Sequence, residues 1–416
     1  MKIIADLHIH SHYSRATSKN MNLENIDKYG KLKGLNLIGT GDFTHPMWLK
    51  ELKSNLKEID NSGLYRYKSK DVSYMITGEI SLMYTQDKKG RRIHIVILVP
   101  NFDIAKQITD WLKTKGRVDY DGRPIFGFSA IELTEAMMKI SKDIMIIPAH
   151  ILTPWFGVIG QKGGFDSVQE CFQDQTKNIY AVETGLSADP PMLWRISSLD
   201  KFTPVSNSDS HSFYPWRIGR EANVFEINKL SYKNIIQTIK TRKGFKYTIE
   251  VDPAYGKYHW DGHRNCNIFL SPKQALKLNN ICPVCGKPLT IGVEHRVEEL
   301  ADRKEGFRPK NAVDYKRLLP LSELISKVYN TSVATKKVWE EFNKLIKEFG
   351  SELNVLLNIP EEKLKLVSGE KLAKLIIKNR NNELKIQPGY DGVYGQLILS
   401  GNIKTKSHQK NLQQFK

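Results

Sequence analysis

Met1-Lys2-Ile3-Ile4-Ala5-Asp6-Leu7-His8-Ile9-His10 is an apolar run that ends in residues able to bind a cation. Strand side chains alternate between two faces, so Asp6, His8 and His10 share one face and both imidazoles can meet the same ion. The ending recurs through the first half of the chain. Residues 35–39 lead to Asp42 and His45, 72–77 to Glu79, and 144–149 to His150. Residues 179–182 lead to Glu183, 202–206 to Asp209 and His211, and 92–100 carry His94. Such runs predict an α/β barrel of parallel strands, because that fold gathers its strand ends, and its chemistry, at one rim.

Helix signals fall between the runs. Ser129-Ala130-Ile131-Glu132 is a capping box that opens a helix to Ile140. Pro46 starts another, with Leu49, Leu52 and Leu56 on one face. Residues 112–128, with Gly116, Gly122, Pro124 and Gly127, read as an exposed insertion.

Carboxylate and imidazole ligands of mixed type suit Zn²⁺, Mn²⁺ or Fe. His8 and His10 form one site, Glu79 can bridge two cations, and His94 and His150 complete a second. Asp42, His45 and His211 are the candidates for a third. Asp209 is also a ligand on this reading, while Glu183 can instead orient one. Two or three catalytic divalent metals (Zn, Mn or Mg) are therefore expected, with Asp209, Glu79 and His211 as the catalytic residues. Metals of this kind activate water and clamp phosphate oxygens.

A chain of 416 residues predicts two to four domains, and 40% hydrophobic content excludes a disordered one. No run of about 18 apolar residues is present, which argues against a membrane span. A first segment that enters a strand directly argues against a cleavable leader. Four cysteines do not make a disulfide framework in a chain this long, and a Cys-x-x-Cys pair points to metal binding in a reducing cytoplasm. The net charge of +18 predicts a polyanionic partner, nucleic acid before membrane.

His263-x-x-Cys266 and Cys282-x-x-Cys285 fit a structural Cys₃His zinc site, with His259 and His295 as rival fourth ligands. Binding would contribute on the order of 10 kcal/mol to folding a segment with little core. The resulting division is a barrel over 1–250, a zinc-binding module over 251–310, a mainly helical DNA-binding domain over 311–400 and a flexible tail over 401–416.

Residues 1–225 resemble the polymerase-and-histidinol-phosphatase (PHP) family. The matching motifs are Asp6-Leu7-His8-Ile9-His10, Gly78-Glu79, Pro148-Ala149-His150 and Asp209-Ser210-His211. One motif departs: the family commonly reads Thr-Asp-His where this chain has Thr40-Gly41-Asp42-Phe43-Thr44-His45. The resemblance implies a distorted seven-stranded (β/α) barrel with two or three metals and phosphoester hydrolysis.

The whole chain resembles the archaeal endonuclease Q family. Pro148-Ala149-His150-Ile151-Leu152-Thr153-Pro154-Trp155, Ser206-Asn207-Ser208-Asp209-Ser210-His211 and Asp261-Gly262-His263-Arg264-Asn265-Cys266 carry the likeness, with Pro388-Gly389-Tyr390-Asp391-Gly392. It implies a DNA repair endonuclease cutting 5′ to uracil, hypoxanthine, xanthine or an abasic site, in double- or single-stranded DNA. Trp155 and Phe156 could then wedge into a duplex or wall a pocket for an extruded base, or simply cover the barrel core. Arg217 and Arg220 could fork onto phosphate, or be plain surface arginines. Ser206 and Asn207 are candidates to read the base edge, and His295, Arg296 and Arg303 to grip DNA. Gln409, Leu412 and Phe415 resemble the peptide box that docks on the sliding clamp (PCNA), with Lys416 in place of its second aromatic. Two other readings stand beside this one: a small-molecule phosphoesterase of the PHP type, and a non-catalytic DNA-binding scaffold. No Gly-x-x-x-x-Gly-Lys pattern supports a helicase.

Overall fold

A computed structural model describes residues 1–68 and 70–398. All seven apolar runs form strands: β1 (Lys2–Asp6), β2 (Leu37–Gly39), β3 (Ser73–Gln86), β4 (Lys89–Val99), β5 (Met145–Pro148), β6 (Ala181–Glu183) and β7 (Thr203–Val205). β1, β2 and β3 pair in parallel, as do β6 and β7. Single parallel bridges, Ile146 to Ile179 and Ile9 to Ser210, link β5 toward β6 and the end of β7 back to β1. The chain is thus a mixed α/β fold whose first strands pair in a ring.

One expectation is corrected. β4 runs antiparallel to both of its neighbours. The cause is local: Asp87 and Lys88 both have positive φ, the backbone of a two-residue hairpin turn. A parallel partner would need a long crossover that this connection lacks. The hairpin also carries β3 past Glu79, which sits inside a strand rather than at its end. Glu79 pairs with Val96 and Ser81 with His94, so Glu79 and His94 are diagonal neighbours on one face.

The capping signals form as read. The Ser129 side chain accepts from the Glu132 N–H at the start of Ala130–Ile140, and Pro46 opens Pro46–Asn55. The segment after Leu112 is not the exposed insertion expected. Val118, Asp121 and Phe126 are buried, and the 120–124 turn folds onto Asp42. A Cβ at Gly122 would run into the Asp42 carboxylate, so only glycine fits that approach.

Beyond the ring, β8 (Ala222–Glu226) and β9 (Phe245–Glu250) extend the sheet from β1, and Asp314–Arg317 adds a parallel strand at its edge. The helices Leu321–Tyr329, Lys336–Phe349, Glu352–Leu357 and Glu361–Arg380 follow. The last is broken at Gly369, with φ of 77°. Their apolar faces, including Leu324, Phe342, Leu353 and Ile376, join the same buried cluster as Ile26 and Ile38 of the first part. A fully buried ion pair, Lys33 to Glu352 at 2.9 Å, crosses that junction. Removing one partner of such a pair costs about 3–5 kcal/mol. Among the described residues no helix is long and apolar enough to cross a membrane.

Candidate metal centre

His8, His10, Glu79 and Asp209 place ligand atoms within 4.8 Å of one another, and so do Glu79, His94 and His150. Glu79 belongs to both groups and divides its oxygens between them. Its Oε2 lies 3.2 Å from His10 Nε2 and 3.5 Å from His8 Nε2. Its Oε1 lies 2.9 Å from His94 Nδ1 and 3.2 Å from His150 Nε2. Asp209 Oδ1 completes the first group, 3.0 Å from His10 Nε2. This is the disposition of a carboxylate that bridges two cations.

The donor set fits metal. His8 Nε2, His10 Nε2 and Asp209 Oδ1 are buried and have no hydrogen-bond partner. Buried polar atoms are almost always satisfied, and these three converge on one point. Each imidazole is also held from behind. His8 Nδ1 lies 3.0 Å from Glu183 Oε1, and Glu183 Oε2 accepts the His150 N–H at 2.8 Å. His10 Nδ1 lies 2.9 Å from Asp42 Oδ1. Carboxylates placed so fix the ring orientation and make the imidazole a better donor. Asp42, His150 and Asp209 all have positive φ, a backbone strain that gathers where geometry is imposed.

The electrostatics follow from carboxylates packed among imidazoles, with Glu79 buried and Asp209 half-buried. Burial opposes charge on His8, yet Glu183, Glu79 and Asp209 raise its pKa well above the usual value. Burial opposes charge on His10 too, and Asp42 and Asp209 overcome it. Burial pushes Glu79 and Asp209 up, and the surrounding imidazoles, with Arg123 at Glu79, bring both well below the ordinary range. His94 is driven down to about 4 by burial. The pocket is thus negative and demands positive charge.

The third grouping does not assemble. Asp42 is spent on His10 and on Ser11 and Ser14, whose hydroxyls donate to its Oδ2 at 2.7 and 2.9 Å. His45 stacks on Tyr13 at 4.3 Å and its Nε2 faces the Asp119 carbonyl. His211 lies beside the cluster, its ring 4.4 Å from that of His10. Asp6 braces the 208–219 segment by accepting from Ser208 and Gly219 N–H groups.

Sequence reading missed Arg123, whose Nη1 lies 3.1 Å from Glu79 Oε2. It sits in Asp121-Gly122-Arg123-Pro124, where turn residues suggested solvent; the Asp121 carboxylate accepts the Arg123 N–H at 3.1 Å and holds the turn inward. The base-reading guess is also corrected. Asn207 Oδ1 accepts from Leu7 N–H and its amide donates to Glu183, while Ser206 donates to the Ile249 carbonyl. Both are consumed inside the core.

Around the rim, Phe156 stacks on His94 at 4.3 Å, and Trp155 is 38% exposed. Arg217 and Arg220 line a cavity of about 470 Å³ together with Thr153, Ser187, Tyr258 and Glu323. A larger cleft of about 980 Å³ shares no residue with either metal-type group. Its wall carries the pair Arg195–Glu298. The smaller cavity is tied to the cluster through the backbone: Thr153 N–H donates to the His150 carbonyl and Arg220 to the Ser208 carbonyl beside Asp209.

The sequence-predicted zinc ligands His263, Cys266, Cys282 and Cys285 come within 4.8 Å of one another and could hold zinc. Gly286, with φ of 70°, makes the knuckle, and its N–H donates to the Cys282 carbonyl. The rivals are engaged elsewhere: His295 Nδ1 lies 2.6 Å from Asp261, and His259 faces Glu294. Arg296 and Arg303, expected to grip DNA, are half-buried and engaged within the protein. Arg296 donates to the Ile159 and Phe165 carbonyls, and Arg303 forks onto Asp200. Gln409, Leu412 and Phe415 lie outside the described residues.

Comparison with known proteins adds five findings. Residues 320–383 match the family described as the MJ0043 C-terminal domain. A Methanocaldococcus jannaschii protein, MJ0043, is 36% identical over 256 residues, 60% of this chain, which spans 31% of that protein's length. The Bacillus subtilis protein YqxK is 30% identical over 95% of this chain and 99% of its own. The crystal structure of the lesion-specific endonuclease Q of Pyrococcus furiosus superposes with a TM-score of 0.87 at 35% identity, covering 100% of both chains. An endonuclease Q in complex with a 27-mer duplex, an abasic lesion at its active site, superposes at 0.86, with 35% identity over 98% of this chain and 99% of that one.

Proposed function

Starting from the chain's membership of the endonuclease Q family, we propose that it is a metal-dependent DNA repair endonuclease. It hydrolyses the phosphodiester 5′ to uracil, hypoxanthine, xanthine or an abasic site, in duplex or single-stranded DNA. The observation that carries this reading is Glu79 shared between two ligand groups, beside a 470 Å³ cavity whose lining residues Thr153 and Arg220 bond to the His150 and Ser208 carbonyls. We read the ring of β1–β7 as the distorted seven-stranded PHP barrel. The zinc-binding module over 251–310 and the helical part over 311–400 hold the duplex.

Divalent cations at these groups would supply activated water and positive charge against the phosphate oxygens. The protein's own residues do the rest. His8, His10, Glu79 and Asp209 form one donor set, and Glu79, His94 and His150 the other. Glu183 and Asp42 orient His8 and His10. Arg217 and Arg220 offer guanidinium groups on the cavity wall to DNA phosphates, and Trp155 and Phe156 line the approach. The cavity, about 470 Å³, falls in the range of small-molecule pockets, and extruding a base into it costs least where the pair is already mismatched or missing. Gln409, Leu412 and Phe415 would couple the enzyme to the sliding clamp, a reading that rests on sequence alone.

The test is cleavage of duplexes carrying one uracil, hypoxanthine or abasic site, with Asp209→Ala beside the wild type. A nick 5′ to the lesion, lost in the variant, supports the reading. Hydrolysis of a small phosphoester with lesion DNA left intact would replace it with the phosphatase reading, and binding without cutting would leave a scaffold.

A further inference from the structure

The segment Phe213-Tyr214-Pro215-Trp216-Arg217 follows the last metal-type residues and alternates in its burial. Phe213 and Pro215 are buried, while Tyr214 is exposed and Trp216 half-buried. The Tyr214 and Trp216 rings are nearly parallel, 4° apart in plane with centroids at 4.5 Å. Trp339, on the helix Lys336–Phe349, joins them at 5.5 Å from Trp216 and 6.0 Å from Tyr214. Tyr214 remains 36% exposed, and both tryptophans are half-buried.

This surface is held in place from beneath. Lys33 Nζ donates to the Pro215 carbonyl at 2.8 Å, and Glu352, 2.9 Å away, neutralises it inside the core. A buried ion pair is weak evidence of added stability, but this one fixes the loop that presents the two rings. The surface also continues into the cavity. Arg217 and Arg220 line that cavity directly after Trp216, and Val333 lines it shortly before Trp339. Lys336 and Lys337 stand exposed in the same helix as Trp339, Lys337 over the Tyr329 ring at 4.2 Å and Lys336 3.7 Å from Glu340, and the chain carries a net charge of +18.

We propose that Tyr214, Trp216 and Trp339 form a stacking platform for an unpaired base of the DNA, outside the cavity that takes the lesion. The proposal rests on the nuclease reading. Aromatic faces within a basic surface are the chemistry that binds unstacked bases without regard to sequence. Opening a duplex around a lesion leaves such bases without partners.

Binding of a labelled duplex with one abasic site tests this. Trp216→Leu keeps apolar bulk and removes the ring face, and should weaken binding roughly tenfold. Trp216→Phe should recover most of that loss, with metal content and thermal midpoint as in the wild type. Should Trp216→Leu not fold, Tyr214→Leu at the most exposed ring makes the same measurement. Equal affinity of Trp216→Leu and wild type would overturn the platform while leaving the nuclease reading intact, provided that the wild type still cuts. Equal losses in Leu and Phe would assign the rings to packing. A dimer that dissociates in Trp216→Leu would assign the face to a second copy. A wild type that neither binds nor cuts lesion DNA would overturn both readings.

Discussion

The rim cluster and the Cys/His knuckle, each able to hold a metal, gather their side chains in opposite ways. The rim draws His8, Glu79, His150 and Asp209 from across two hundred positions, and the fold buries all but Asp209 and braces the imidazoles through Glu183 and Asp42. The knuckle takes its four ligands from 263–285, with Cys285 exposed and only Leu270, Ala275, Cys282 and Leu289 as buried core. At the rim the fold makes the site. In the knuckle the ion would make the fold, since so few buried side chains, each contributing about 1.5–3 kcal/mol, cannot offset the entropy of ordering the segment.

The largest expected effect breaks the knuckle alone. Chelation, or Cys282→Ser, should remove one zinc per chain and an apparent stabilisation of about 10 kcal/mol. Limited proteolysis should then cut within 257–290 while the first 250 residues stay resistant. Uniform digestion of both parts would erase the contrast. Next, Glu79→Ala should lower hydrolysis by more than about 100-fold, beyond what a residue that only orients a ligand gives, with the thermal transition kept. Loss of fold together with activity would show that the rim, too, depends on its ligands for stability. Weaker again, Glu183→Gln and Asp42→Asn should each reduce metal affinity about 10–100-fold, read by calorimetric titration. No change would reduce these carboxylates to packing.

The smallest effect compares buried carboxyls within the fold. Imidazoles hold Glu79 and Asp209 low, whereas burial lifts Glu250 to about 8 from 4.5. The folded state therefore binds that proton more tightly than the unfolded chain. Its stabilising contribution is full below pH 4.5 and is lost as pH rises through about 8. Glu250→Gln should thus melt above the wild type at pH 9 and close to it at pH 5, by calorimetry. A variant less stable at pH 9 would contradict the sign.

Much of this was legible because strand and ligand coincide in sequence. His8 and His10 follow the period of two, His150 and Asp209 follow apolar runs, and the Cys-x-x-Cys pair with His263 is a local pattern. What was not legible depends on direction and on pairing across distance. The reversal of β4 turned on two residues, Asp87 and Lys88, in left-handed backbone. Arg123 looked like a loop residue because turn composition does not say which way a turn folds. Asp42 looked like a ligand because a carboxylate near imidazoles has the same signature whether it binds metal or braces a histidine.

By itself, then, the sequence determined the ligand types, the strands that carry them and the self-contained zinc knuckle, since each follows from spacing within a short stretch. Only the tertiary structure decided which carboxylate spans both groups, which ones stand behind, and that Trp216 meets Trp339. Those outcomes depend on how residues from separate strands and loops, 32 positions apart for Asp42 and His10 and 175 for Glu183 and His8, are packed, and no local period encodes that.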